Sequence, residues 1–344
     1  MRILLINFEF TITGASTLLL RLALHLQAQG HTLRLLAVRS EDGPIRARYL
    51  EHGIEVADNA QLKDFDLAIA NSIAVVPQVI RIGPHLPTIW YVHESDVALK
   101  ILTRNPQWVR AFDIAAAVVY DMPFQRDFFR PFTQHLPPEK FDVVPGGVDI
   151  DMAALARQPR PPKTRPFRLM HVGTLEPRKR PGDIIHAVAA SGLDIECVFC
   201  GKLYGLEPEA LAIVEREPDK YRLLGVLPDD EKLAWLASAD VFCLASDSET
   251  QALAVYEAAL LGKPLLLTDL PCYRDIFLHG RNCLLVPRRD REMLALSLQM
   301  LLASPELRTR LGQAARRTAL RFNNEVYFAR FDAVIAAVAN AAKA

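Results

Sequence analysis

Short apolar runs rich in leucine and β-branched residues recur along the chain. Between several of them apolar side chains return every three or four positions. In the first half the runs at 2–7, 33–38, 67–70, 88–91, 116–119 and 142–144 predict strands. The clearest helix between them spans 17–29 and closes on Gly30, the residue type that ends helices in the left-handed conformation. Strands alternating with helices predict a parallel sheet covered on both faces.

The texture breaks at 156–166, ARQPRPPKTRP, where Pro159, Pro161, Pro162 and Pro166 interleave with Arg157, Arg160, Lys163 and Arg165. Such a stretch reads as a linker. The rhythm then restarts, with strands expected at 167–172, 195–200, 221–224, 241–245, 265–268 and 284–286 and a helix near 181–190. The expected organisation is therefore an N-terminal doubly wound domain over 1–155, a linker over 156–166 and a second such domain over 167–324. The alanine-rich tail, 325–344, carries Val326, Phe328, Phe331, Val334 and Val338 at helical spacing and predicts a terminal helix.

Composition adds limits. The 344 residues are 51% hydrophobic, enough for packed cores, and 40 Lys+Arg balance 40 Asp+Glu, so no basic nucleic-acid surface is implied. MRILLINFEF is too short and too interrupted, by Asn7 and Glu9, to be a signal peptide, and no run is long enough to span a bilayer. A cytoplasmic protein is expected, with peripheral contact at a membrane left open. The five cysteines (Cys197, Cys200, Cys243, Cys272 and Cys283) are an odd number, which argues for free thiols. Cys197 and Cys200 lie three apart on one strand, hence on opposite faces, and cannot share a metal.

Several stretches could carry chemistry. ASDSETQALAVYEAALLGKP, from Ala245, reads as strand end, turn and a helix over 251–261. It places Glu249 in the loop and Glu257 two turns along the helix, beside a helix start whose free N–H groups suit phosphate. Ser246-x-x-Glu249 and Ser248-x-x-Gln251 also fit capping boxes. Spacing alone leaves ligand, cap and surface residue open for the two glutamates. In HVGTLEPRKRP, Gly173 permits close backbone approach, and Arg178 with Lys179 at a strand's carboxyl end suits a diphosphate. His93 in WYVHES also follows a strand, with Glu94 and Asp96 as its candidate partners. Gly14 in FEFTITGAST is a single glycine, so the dinucleotide fingerprint of a nicotinamide enzyme is missing. Asp64-Phe65-Asp66 resembles a metal-binding D-x-D but leads directly into a strand, and no metal site is expected.

In this order the pieces resemble glycosyltransferase family four, the retaining nucleotide-sugar enzymes of GT-B fold. Glu249 and Glu257 match that family's glutamate–seven–glutamate signature, followed by AALLGKPLLLTD. VGTLEPRK, YVHES, VPGGVD and ADVFCLAS stand in matching places.

The resemblance implies two Rossmann-like domains facing each other across a cleft, with the terminal helix packed back on the first. It implies that Arg178 and Lys179 hold the donor diphosphate, Glu249 the donor sugar and Glu257 the ribose. His93 would lie near the transferring sugar, Gly14 would border donor and acceptor, and Gly173, Thr174, Thr250, Gln251, Ala252 and Leu253 would line the donor site. His93, Arg178, Lys179 and Glu249 are then the expected catalytic set, with no metal and no cofactor beyond the donor. A carbohydrate or a lipid-linked molecule would accept the sugar. Thr174 stands where many members have arginine, Gly14-Ala15 where two glycines are usual, and Thr250-Gln251 where a glycine and an aromatic are common. A GT-B epimerase, a phosphorylase and an inactive sugar-nucleotide-binding protein are the alternatives.

Overall fold

The computed structural model describes residues 1–39, 43–57 and 59–343. Ala344, the last position of the predicted terminal helix, lies outside them. The chain divides into two units: Met1–Gly147 with Asn324–Ala344, and Val148–Asn323.

The first unit is a seven-stranded parallel sheet in the order β3-β2-β1-β4-β5-β6-β7. The strands are β1 (Arg2–Asn7), β2 (Thr32–Ala37), β3 (Glu55–Ala57), β4 (Leu67–Asn71), β5 (Thr88–Val92), β6 (Ala117–Tyr120) and β7 (Phe141–Val143). β4, β5 and β6 are buried along their whole length, as strands covered on both faces must be. Trp90, Phe112, Tyr120 and Phe129 fill one side of the sheet. Burying each such side chain contributes roughly 1.5–3 kcal/mol.

β3 has no counterpart among the predicted strands. It is a three-residue edge strand, too short to show a period. The first helix spans Gly14–Ala28, three residues earlier than its predicted start, because Thr13 and Ser16 cap each other reciprocally. Gly14 therefore opens the helix instead of lying in a loop. Asp66 of the D-x-D lookalike accepts from the Arg2 backbone N–H (2.8 Å) and side chain (3.3 Å).

The terminal helix, Asn324–Ala341, packs on this unit. Tyr327 donates to Leu18 O, Phe331 meets Tyr91 edge-on, and Asp332 accepts from His25, whose ring stacks on Phe328.

The second unit is a six-stranded parallel sheet in the order β10-β9-β8-β11-β12-β13. Its strands are β8 (Phe167–Val172), β9 (Ile195–Cys200), β10 (Tyr221–Gly225), β11 (Val241–Leu244), β12 (Leu265–Thr268) and β13 (Leu284–Val286). Its boundary falls at Gly147/Val148, earlier than the 155 read from the sequence, because the proline-rich stretch is fastened to this sheet. Arg168, fully buried on β8, donates to Pro161 O and Pro162 O, to Ser238 and to Glu196 (2.7 Å), and stacks on Trp235. Lys163 pairs with Asp240, and Arg165 with Asp194. Residues 152–157 form a short helix, so the expected linker begins inside an element. All five cysteines are free and buried here. Among the described residues no helix is long and apolar enough to cross a membrane.

Candidate active site

In the second unit, successive strands run outward from β8 in one direction and from β11 in the other. The carboxyl ends of this neighbouring pair therefore form the topological switch point, where open α/β sheets leave a crevice. The two segments singled out in the sequence both emerge there. After β8, Gly173 (φ +156°) leads to Thr174–Lys179, and Arg180 in a left-handed turn (φ +52°) feeds the helix Pro181–Ser191. Gly201, at the end of β9, crosses so close that a Cβ there would lie 2.0 Å from Gly173 O. No residue but glycine fits at 201.

After β11 the chain passes through Ser246–Ala252 before the helix Leu253–Leu260. This helix starts two residues later than predicted, and Ala252 at its N-cap supplies no side-chain hydrogen bond. Ser246 caps nothing. It is fully buried, and its hydroxyl donates to Glu249 Oε1 (2.6 Å) while Thr268 donates to its carbonyl. The capping-box pattern at Ser246–Glu249 is thus a contact inside the loop.

Three charges meet at Glu249. Lys179 Nζ lies 2.5 Å from Oε1 and Arg178 Nη1 3.7 Å from Oε2. Arg178 is further held by Ser248 O (2.8 Å) and by Glu176 Oε1 (2.7 Å), which also accepts from Thr174 Oγ1 (3.0 Å). Arg178 keeps 37% of its side chain exposed, whereas Lys179 keeps 14% and Glu249 6%. Burial works to raise the Glu249 pKa, but the charges of Lys179 and Arg178 and the hydrogen bonds from Lys179 and Ser246 bring it below the ordinary carboxylate value. The carboxylate is ionised at neutral pH. Beneath it, burial and the Lys179 charge lower His171 to about 4, so this ring is neutral. Its Nδ1–H donates to Cys243 O.

Glu257 is not part of this trio. It is buried on the helix, with Lys232 Nζ 2.9 Å from its Oε1. Thr250 and Ala252 are buried, and Gln251 and Leu253 are partly so, around the start of the same helix.

In the first unit the switch point lies between β1 and β4, and Gly14 and His93 stand near it. Asn7 Nδ2 donates to Glu9 O, leaving its Oδ1 to accept from Asn71 Nδ2 (3.1 Å), which also reaches Ala15 O. That orients the Asn71 amide so that its Oδ1 accepts from His93 Nε2 (2.7 Å). On the other side His93 Nδ1 donates to Asp121 (3.0 Å). Both ring nitrogens are donors, as only an imidazolium allows. Burial acts to lower the His93 pKa, but Asp121, by charge and hydrogen bond, and the Glu94 charge raise it above the ordinary value. Glu94 itself accepts from Ser72 Oγ and Ile73 N–H. It thereby fixes Ser72 at φ 85°, ψ 159°, a region essentially confined to glycine.

Residues 153–318, nearly all of the second unit, match the family model described as "Glycosyl transferases group 1". Over this unit the chain is similar to the group 1 glycosyltransferases. A phosphatidyl-myo-inositol mannosyltransferase of Mycobacterium leprae is 29% identical over 189 residues, 52% of this chain and 49% of that protein. An MMP alpha-(1->4)-mannosyltransferase of Mycolicibacterium hassiacum is 32% identical over 188 residues, 53% of this chain and 44% of that protein. The chain thus spans about half the length of the curated relatives it matches. Among solved structures, Anabaena Alr3699/HepE in complex with UDP and glucose superposes with a TM-score of 0.79 at 18% identity, covering 98% of this chain and 100% of that one. Sucrose-phosphate synthase from Thermosynechococcus elongatus gives 0.77 at 16%, covering 99% of each chain. The fold is GT-B, with two parallel-sheet Rossmann-like domains.

Three residues beside the two switch points escape sequence reasoning. Lys232 sits in DDEK, which reads as a solvated helix start. Asp121 lies 28 positions from His93, whose nearer acidic neighbours looked like its partners. Asn71 ends an apolar strand with no motif around it. Only the switch-point topology, which brings the ends of β1, β4, β5 and β6 together, gives a signal for the last two.

Proposed function

We propose that the protein is a retaining glycosyltransferase that moves a sugar from a UDP- or GDP-linked donor to a hydroxyl of a carbohydrate or lipid-linked acceptor. The observation that carries this reading is the Arg178–Lys179–Glu249 cluster at the switch point of the group 1 unit, beside a helix start with no side-chain cap from Ala252. Cleaving a sugar–phosphate bond leaves negative charge on the diphosphate. Arg178 supplies a planar fork, Lys179 a compact charge, and the first-turn N–H groups of Leu253–Leu260 a fixed partial charge to stabilise it. Preorganised charge of this kind is typically the largest catalytic contribution. It also leaves the step independent of a divalent metal.

Lys179 now holds Glu249. When the diphosphate draws the ammonium toward itself, Glu249 Oε1 becomes available to the hydroxyls of the donor sugar. Attack from the face that the leaving group departs gives retention, with the departing phosphate taking the acceptor proton. His93, as an imidazolium backed by Asp121, orders the carboxyl end of the first sheet, where the acceptor would be received. The UDP bound by the Anabaena structural neighbour and the mannosyltransferase names of the curated relatives support this class of donor and acceptor.

Incubation with UDP- and GDP-sugars and a panel of sugar, polyol and lipid-linked acceptors, followed by mass and anomeric NMR analysis, tests it. Formation of an α-linked product from an α-linked donor without added metal is expected. Inverted product, or activity abolished by a chelator and restored by manganese, overturns the corresponding part. Epimerised donor without transfer, or binding with no turnover of any donor, overturns the whole.

A further inference from the structure

Lys232 sits where two physical effects oppose it. It lies in the first turn of the helix Asp229–Ser238, whose dipole favours the anions Asp229, Asp230 and Glu231 beside it and disfavours a cation. Its side chain is also only 16% exposed, and buried ammonium groups are among the rarest in proteins. What holds it there is Glu257, whose Oε1 is 2.9 Å away, with Asp229 Oδ1 at 3.2 Å. Burial acts to lower the Lys232 pKa, but the charges and hydrogen bonds of Glu257 and Asp229 raise it above the ordinary value, so the pair stays ionic.

The pairing is one-sided. Lys232 takes Oε1 of Glu257, while Oε2 accepts no hydrogen bond among the described residues. The cluster stands at the carboxyl ends of β9 and β10, the end at which such sheets take ligands. The Cys200 thiol that closes β9 lies within the fields of Lys232, Glu257 and Asp229 and bonds to the Leu227 backbone. Leu203, Tyr204 and Val226, in the loops that follow the same two strands, expose large apolar surface. That is the chemistry a flat nucleobase meets. A buried carboxylate with one oxygen tied down and the other free is suited to grip a hydroxyl at a fixed angle.

We propose that Lys232 is the positioning residue for ribose recognition. It anchors Glu257 through Oε1 so that Oε2 is presented to a hydroxyl of the donor's ribose. The inference rests on the proposed function and on Glu257 being the ribose contact, as the family resemblance implies, and adds the residue that aims it. A carboxylate left without its anchor would turn or take up a proton, and the geometry that distinguishes ribose from deoxyribose would be lost.

Titration calorimetry of the full chain with UDP against 2′-deoxy-UDP, and with GDP against 2′-deoxy-GDP, tests it. For the base that binds, the wild-type protein should prefer the ribonucleotide by about tenfold or more, the size expected of a hydrogen bond to a charged group. Glu257→Gln and Lys232→Met should each bring that ratio close to one, and Lys232→Arg, which keeps a cation, should restore most of it. If Glu257→Gln keeps the preference, the ribose contact itself is overturned, and the inference with it. If Glu257→Gln loses it but Lys232→Met keeps it, Lys232 alone is overturned. A Lys232→Met protein that melts lower and loses affinity for both nucleotides by the same factor, with the ratio intact, shows a structural role only and overturns the inference as well. Because Lys232→Arg preserves the charge pair, it is read even if the methionine variant fails to fold.

Discussion

Lys179 Nζ and Glu249 Oε1 are 2.5 Å apart, and the same oxygen accepts from Ser246 at 2.6 Å. The cation assigned to the diphosphate and the carboxylate assigned to the sugar therefore hold one another before any donor arrives. Replacing Lys179 by alanine removes the charge and leaves Glu249 buried with one fewer partner. Turnover should fall on the order of a hundredfold or more, the scale of losing one preorganised transition-state contact. Steady-state kinetics on the full chain checks this, and an unchanged kcat would return Lys179 to a purely structural role.

The same pair sets an acid limit. Folding lowers the Glu249 pKa, so its contribution to stability is complete above the unfolded value of about 4.3 and is lost as pH falls through the lower folded value. Glu249→Gln should be less stable than wild type at pH 7, and the gap should narrow as pH drops below about 4. Melting temperatures across that range measure it. A constant gap would mean that the ion pair is not what makes the difference.

His93 titrates with the opposite sign. Its pKa is raised in the folded state, so its contribution with Asp121 is full below about 6.5 and disappears as pH rises through the higher folded value. Asp121→Asn removes the carboxylate charge and leaves burial to dominate, so the imidazole should then titrate below its ordinary value. The ring-proton chemical shift of His93 followed by NMR against pH reports this directly. An unmoved titration in the variant would show that Asp121 does not hold the proton there.

Gly201 supplies a packing test. A methyl group at 201 would stand 2.0 Å from Gly173 O, and the backbone there is at φ +149°, outside the range alanine favours. Gly201→Ala should cost about 2 kcal/mol or more in stability. It should also weaken nucleotide binding, because the loop it pushes away leads to Arg178 and Lys179. Chemical denaturation and calorimetry read the two effects separately.

Most of the sheet architecture was legible from the chain, since a parallel strand buried on both faces shows as an uninterrupted apolar run, and all twelve of the runs at 2–7 through 284–286 coincide with strands to within a residue or two. The edge strand Glu55–Ala57 was not legible, because three residues are too few to set a pattern. The Arg178–Lys179 and Glu249–Glu257 stretches could be found by motif, but not how they meet. Lys179 reaches Glu249 across 70 positions, and Glu257 turns instead to a lysine 25 positions earlier. Partner choice among buried charges depends on which strand ends are neighbours, and that is a property of topology. The proline-rich stretch misled for a related reason. Proline excludes it from a strand interior but leaves its carbonyls free, and the buried Arg168 collects two of them.

The five cysteines, all free and buried, make the molecule quiet toward thiol reagents. Burial lifts Cys200 to about 11 and Cys283 to about 12, and Cys197, Cys243 and Cys272 also rise, so almost no thiolate exists at neutral pH. A maleimide dye should leave the native protein unlabelled. One cysteine introduced at the exposed Tyr204, beside the proposed nucleoside end, would then carry the only fluorophore, with no native thiol to delete first. The protein is its own single-label background, ready for watching a donor arrive by light.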